Sequence, residues 1–220
     1  MGSVVAVDQT HPSEAVLEQA LAVLQNKGVL VMPTDSVYGI GCAAFPNNPA
    51  HRRIFTIKQR DLAQTLPWLV GTSDALQRYG KNVPSWMVNL AQTFWPGALT
   101  LVVPASDEVA PEYRNAQDNT IGLRMPASPL VCTLSLRLGM PLATTSANTH
   151  GAPSPTSAHE LEQRIIDAAD LTLDAGPAPK GVASTVVVAM PLDVRVFFAR
   201  DSFRVIKSLK LSGCNAHNPL

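Results

Sequence analysis

The chain has 220 residues, 46% of them hydrophobic, with 17 basic against 17 acidic side chains and a mean hydropathy of +0.10. That is ample for the core of a globular protein, and a formal net charge of zero excludes a global field that would gather nucleic acid or an anionic membrane, so any anion site must be built locally. No apolar run approaches the ~20 residues that span a bilayer, no signal peptide is visible, and Cys42, Cys132 and Cys214 stand far apart without metal-like spacing, which points to free thiols in a reducing, cytoplasmic compartment.

In chain order, residues 4–7 read as a short strand. Pro12, Ser13 and Glu14 open a helix in which Val16, Leu17, Ala20, Leu21 and Leu24 recur at helical spacing, and Gly28 closes it. A strand at 29–33 runs into Thr34-Asp35-Ser36-Val37-Tyr38-Gly39-Ile40-Gly41, where two hydroxyls, a carboxylate, a phenol and two glycines share what reads as one turn. A helix over about 48–60 turns Ile54 and Ile57 inward and carries Lys58 and Arg60 in its last turn. Residues 66–70 read as a strand, 74–79 and 85–94 as helices, Trp95-Pro96-Gly97 as a tight turn and 98–103 as a buried strand. A polar, proline-containing loop at 104–119 precedes a strand at 120–125 and a helix through 130–138. The short strand 141–144 ends in Thr145-Ser146-Ala147-Asn148-Thr149-His150-Gly151, a second cluster of hydroxyl, amide and glycine. A helix at 157–168, a strand at 170–173, a Gly/Pro/Ala/Lys loop at 175–183 and strands near 185–189 and 194–198 complete the body. Strands alternate with helices and no linker divides the chain, so the expected architecture is one α/β domain over residues 1–211, a twisted, mixed, open sheet flanked by helices, with a flexible tail at 212–220.

Ligands of open α/β sheets gather beyond the carboxyl ends of strands, and both polar clusters, 34–38 and 144–148, fall at such exits. Together with Lys58, Arg60 and the strand-borne Arg124 they amount to neutral donors plus a few positive charges, a set suited to an anionic small molecule. Taken singly, each piece has a plainer reading. The clusters read equally as turn and cap residues, Lys58 and Arg60 as a solvated helix end, Arg124 as half of an ion pair, and Ser184-Thr185 as strand-edge residues. No GxxxxGK[ST] loop, GxGxxG turn or GxSxG elbow is present, and the histidines at 11, 51, 150, 159 and 217 lack the spacing of a transition-metal site. Such a chain is expected to work by positioning and charge stabilisation rather than through a covalent intermediate.

Seven blocks carry a resemblance: PTDSVYGIG at 33–41, Lys58-Gln59-Arg60, WPGALTL at 95–101, IGLRMP at 121–126, ATTSAN at 143–148, PSPT at 153–156 and STVV at 184–187. In this order they resemble the YrdC/TsaC family of L-threonylcarbamoyladenylate synthases, in its short, single-domain form. The resemblance implies a large concave cavity in the sheet where L-threonine and ATP lie side by side, and synthesis of L-threonylcarbamoyl-AMP from L-threonine, bicarbonate or CO2, and ATP with release of pyrophosphate. It implies Mg2+ carried by the nucleotide, no protein-ligated transition metal, no membrane, and downstream proteins that pass the threonylcarbamoyl group to adenosine 37 of tRNA, with direct tRNA contact not required. Carried over block by block, Thr34, Ser36, Arg124, Thr144 and Ser184 fall on the threonine side and Arg60, Thr120, Ser146, Asn148, Ser154 and Arg200 on the nucleotide side. Lys58 stands between them, and Lys58 and Arg60 offset charge on the phosphoryl oxygens. Loop 104–119 or 175–183 is expected to close over the labile carbamate.

The chain departs from the family pattern at Gln59 and Asp61 of the K-x-R element, at Val188 and at Arg200-Asp201-Ser202. Those departures keep a degenerate, weakly catalytic relative in view. A non-catalytic RNA-binding module and a domain that uses carbamoyl phosphate stay open beside it. The neutral charge and the lack of a basic, aromatic-studded stripe count against the RNA module.

Overall fold

A computed structural model of the chain describes residues 2–62, 64–190, 193–197 and 205–206. Its strands are β1 (Ser3–Ala6), β2 (Leu30–Met32), β3 (Gly39–Ala43), β4 (Trp68–Leu69), β5 (Leu99–Pro104), β6 (Thr120–Arg124), β7 (Leu142–Ser146), β8 (Leu171–Asp174), β9 (Thr185–Met190), β10 (Asp193–Phe197) and β11 (Val205–Ile206). They form one open sheet in the order β1-β8-β2-β3-β7-β4-β6-β5-β9-β10-β11. The sheet is mixed: β1 and β2 both run parallel to β8, whereas β3 is antiparallel to β2 and β7. Helices α1 (Glu14–Gln25), α2 (Pro49–Lys58), α3 (Ala75–Tyr79), α4 (Ser85–Phe94), α5 (Pro129–Leu138) and α6 (Gln163–Ala168) cover it. Among the described residues no helix is long and apolar enough to cross a membrane.

Strand alternation sends successive side chains to opposite faces and so creates two apolar layers. Leu30, Met32, Leu69, Leu142, Leu171 and Leu173 pack with Leu17, Leu21 and Leu24 of α1 and Leu130 and Leu134 of α5. On the other face Val31, Ile40, Cys42 and Trp68 pack with Ile54 and Phe55 of α2 and Met87 and Ala91 of α4. Asn48 starts α2 by accepting the Ala50 N–H on its side chain at 3.0 Å, and Gln59 ends it in the left-handed region at φ 52°.

Three local expectations change. Residues 39–43 are a fully buried central strand rather than the continuation of a turn. Its glycines make that possible: a Cβ on Gly39 would lie 2.8 Å from Thr144 Cγ2, and one on Gly41 would lie 2.6 Å from Thr144 Oγ1. Helix α1 ends at Gln25, and Lys27 rather than Gly28 takes the positive φ, 58°. The helix expected over 157–168 is split into a 3-10 turn, Ala158–Glu160, and α6. Glu160 turns back to the Thr156 N–H at 2.7 Å and Glu162 to the Thr149 N–H at 2.8 Å, which holds the two pieces apart. The expected boundary at 211, the tail at 212–220, Arg200 and Cys214 lie outside the described residues.

Candidate active site

A cavity of about 170 Å3 opens where β2, β6 and β7 end. Thr34, Ser36, Thr100, Thr144, Thr145, Ser146, Ser154 and Ser184 ring it with hydroxyls, Val37, Pro67 and Leu69 supply apolar wall, and Arg124 is the charged residue among its lining. Leu69 belongs to the α1/α5 layer, so the cavity lies on that face of the sheet.

The first wall is the turn after β2. Thr34 Oγ1 accepts the Ser36 and Val37 N–H groups at 3.1 and 3.3 Å and donates to Val37 O at 2.7 Å, so this hydroxyl shapes the turn. The turn then presents Ser36 Oγ to Arg124 Nη1 at 2.8 Å. The plainer reading of Arg124 also holds, because its Nη2 donates to the Asp35 carboxylate in a buried ion pair, while Nε donates to Gly97 O at 2.9 Å. Burial pushes the Arg124 guanidinium down from its ordinary value and Asp35 pulls it back up. A fork held at three points is rigid, which suits recognition of a planar anion.

The opposite wall is β7. Gly39 and Gly41 pair with Ser146 and Thr144, so the glycine faces of β3 leave room for those side chains. Across the mouth, Ser184 Oγ and Thr100 Oγ1 stand 2.9 Å apart. Loop 175–183 is tied to the rim: Tyr38 donates its hydroxyl to Gly176 O at 2.7 Å and Ala178 N–H donates to Thr156 O at 2.6 Å. Burial raises the Tyr38 phenol to about 12, so it stays a donor at physiological pH. Loop 104–119 contributes nothing to the lining.

All five residues expected on the threonine side, Thr34, Ser36, Arg124, Thr144 and Ser184, therefore line one hollow, joined by Ser146 and Ser154 from the nucleotide side. Lys58, Arg60 and Asn148 stand behind its wall. The Lys58 ammonium, on a side chain 2% exposed, donates to Ser146 O, to Asn148 O at 2.7 Å and to Asn148 Oδ1 at 3.2 Å. Burial, and then Arg60 nearby, lowers this amine to about 8. Arg60 reaches Thr145 Oγ1 at 3.0 Å and Thr65 O at 3.2 Å. Thr120 sits at the far end of β6 from Arg124 and donates to Asp118 Oδ1 at 2.7 Å; it does not line the cavity. Sequence reasoning missed Thr100, whose only signal is a hydroxyl inside an apolar strand, and gave no individual role to Thr145, Asp35 or Lys180.

Two other hollows lack this convergence. One of about 140 Å3 contains Arg78, whose guanidinium is already paired with Glu108 at 2.7 Å, and one of about 560 Å3 beside Phe94 is mostly apolar. Among the described residues no group of three or more His, Cys, Asp or Glu side chains is arranged to hold a metal, and no carboxylate lines the cavity.

Fold and site together define an α/β protein with a hydroxyl-rich cavity, Arg124 in its wall, at its strand exits. The chain belongs to the Sua5/YciO/YrdC family: the family model, described as "Telomere recombination", matches residues 22–200. It is 34% identical over 184 residues to a threonylcarbamoyl-AMP synthase of Bacillus subtilis, covering 82% of this chain and 52% of that protein. It is 37% identical over 159 residues to one of Pyrococcus abyssi, covering 72% and 46%. A shorter synthase, from Vibrio parahaemolyticus, is 34% identical and 81% covered. The chain thus spans about half the length of the first two relatives. Among solved structures, P. abyssi Sua5 complexed with L-threonine superposes with a TM-score of 0.79 at 33% identity, covering 85% of this chain and 54% of that one. Escherichia coli YciO superposes at 0.81 and 25% identity, covering 90% and 96%.

Proposed function

We propose that this chain synthesises L-threonylcarbamoyl-AMP from L-threonine, bicarbonate or CO2, and ATP, releasing pyrophosphate, as the first step of threonylcarbamoyl modification of tRNA adenosine 37. The observation that carries this reading is the convergence of Ser36, Thr144, Ser184 and Arg124 on one cavity. The curated relatives named threonylcarbamoyl-AMP synthase and the threonine complex of the P. abyssi relative support it.

In the proposed reaction the Arg124 fork orients the threonine carboxylate, while the hydroxyls of Ser36, Thr144 and Ser184 hold the remaining polar groups. The threonine amine adds to CO2 and loses a proton to give a carbamate. A carbamate oxygen then attacks the α-phosphorus of ATP, the bond to the β-phosphate oxygen breaks, and pyrophosphate departs with that electron pair. Ser146 and Ser154 frame the nucleotide side, with Asn148 beside Lys58 behind the wall and Arg200 as a further contact; Thr120, at the far end of β6 and bonded to Asp118, takes no part. Lys58 and Arg60 add positive potential from behind the wall where charge grows on the phosphoryl oxygens. Mg2+ is proposed to enter with ATP, held by its phosphates; among the described residues no carboxylate lines the cavity. Loop 175–183 keeps water from the labile carbamate and mixed anhydride. The product then passes to proteins that transfer the threonylcarbamoyl group to tRNA, a cytoplasmic sequence of events.

The test is pyrophosphate release by the purified protein with ATP and Mg2+. Release is expected only when L-threonine and bicarbonate are both present. Lys58→Ala or Arg60→Ala should lower it about a hundredfold to a thousandfold. Release indifferent to threonine would refute the reading.

A further inference from the structure

Among the described residues Arg124 is the charged one lining the cavity, yet it is not electrically free. Its Nη2 contacts the Asp35 carboxylate, with the two side chains 7% and 3% exposed. A contact pair of this kind offers an incoming anion hydrogen bonds but no net charge. Lys180 changes the count. From loop 175–183 its ammonium approaches the second Asp35 oxygen at 3.2 Å, and its backbone N–H donates to Asp35 O at 3.1 Å. One negative and two positive charges leave the triad with a net charge of +1, held at the cavity wall by the Arg124 to Ser36 bond at 2.8 Å.

We propose that Lys180 is a positioning residue that sets the affinity of the cavity for the carboxylate of its amino-acid substrate: by neutralising Asp35 it leaves the Arg124 guanidinium with uncompensated positive charge toward the cavity. The inference rests on the synthase reading above. Lys180 does not itself line the cavity; Ala183 and Ser184, three and four residues further on, do. Its effect on the substrate is therefore electrostatic and acts through Asp35. A unit charge at this remove, at an effective dielectric of ~20, corresponds to about tenfold in affinity. The Lys180 side chain is 49% exposed, so added salt weakens the effect.

The experiment measures the KM for L-threonine in pyrophosphate release at saturating ATP and bicarbonate, at low and high salt. It compares the unaltered protein with Lys180→Met, Lys180→Arg and the double variant Asp35→Asn/Lys180→Met. Lys180→Met should raise KM about tenfold at low salt and less at high salt, with kcat within about twofold; Lys180→Arg should restore KM. The double variant should recover much of the loss, because the amide returns the triad to a net charge of +1. An unchanged KM in Lys180→Met, or a double variant weaker than Lys180→Met, overturns the inference and leaves Lys180 as a loop tether. Calorimetric binding of L-threonine to the same proteins keeps the two readings apart. Charge-ordered binding without pyrophosphate release overturns the synthase reading alone, and no binding by the unaltered protein overturns both.

Discussion

Lys58 and Asn148 are 90 positions apart in the chain, yet the lysine ammonium donates to the asparagine carbonyl oxygen at 2.7 Å and to its Oδ1 at 3.2 Å. The third donor goes to Ser146 O, and the Lys58 carbonyl accepts the His150 N–H at 2.9 Å. The end of α2 is thereby stitched to the strand exit that forms one wall of the cavity, so the shape of that wall depends on a charge that does not line it.

Removing that charge should loosen the wall and change how stability responds to pH. Lys58→Met takes this donor from two buried oxygens of Asn148 and the part-buried Ser146 O, a cost of about 1–3 kcal/mol at neutral pH. The folded-state amine is lowered to about 8 from an ordinary 10.5. Between those values the unfolded chain still holds a proton that the folded chain has released, so rising pH favours the fold through this group. Urea melts at pH 8 and pH 10 should therefore show the unaltered protein gaining on Lys58→Met, by up to ~1.4 kcal/mol per pH unit. A difference that stays flat across that window removes the assignment.

Arg124→Lys is expected to be worse than its conserved charge suggests. A lysine cannot serve Gly97 O, Ser36 Oγ and Asp35 together, so Asp35 stays buried with poorer pairing. A loss of about 2–4 kcal/mol in stability should follow, against about 1–2 kcal/mol for Ser36→Ala, which deletes the 2.8 Å bond to Arg124 and the 3.0 Å bond to Thr34 Oγ1. Denaturant melts of both variants decide it; equal losses would mean that the fork geometry is not what matters.

Glu162 gives a prediction on the acid side. The Thr149 hydroxyl and then the Thr149 N–H hold its carboxyl down at about 2, with Arg164 adding to the effect. A carboxyl lowered from 4.5 contributes stability that is complete above that value and is lost as pH falls through about 2. Glu162→Gln should thus cost stability at pH 6, and that cost should shrink below pH 4.5 and vanish only once pH has fallen past about 2. With the side chain 38% exposed, the cost stays below about 1 kcal/mol. Thermal melts of the two proteins converging on acidification is the expected result, and parallel curves would contradict it.

Much of the fold was legible because its signals are local. The 3.6-residue recurrence in α1, the inward spacing of Ile54 and Ile57 in α2 and the apolar run of β5 each lie within a short window. Strand β3 was not legible as a strand, because Gly39 and Gly41 read as turn residues in isolation. They belong in a strand only where Thr144 of a neighbouring strand needs the space of their missing side chains. The candidate site divides in the same way. The hydroxyl clusters at the ends of β2 and β7 were visible as compositions, whereas Thr100 was hidden in an apolar strand.

The amino-acid sequence by itself determined the alternation of helices and strands, the placing of two polar clusters at strand exits and the family likeness, because each depends on short-range pattern and order. Only the tertiary structure decided that the partner of Arg124 is Asp35, 89 positions away, that Lys180, 145 positions from Asp35, completes the group, and that Lys58 faces the back of the wall. Those contacts follow from the order in which β3, β7, β4 and β6 lie side by side, and a side-chain pair that far apart along the chain leaves no trace in local periodicity.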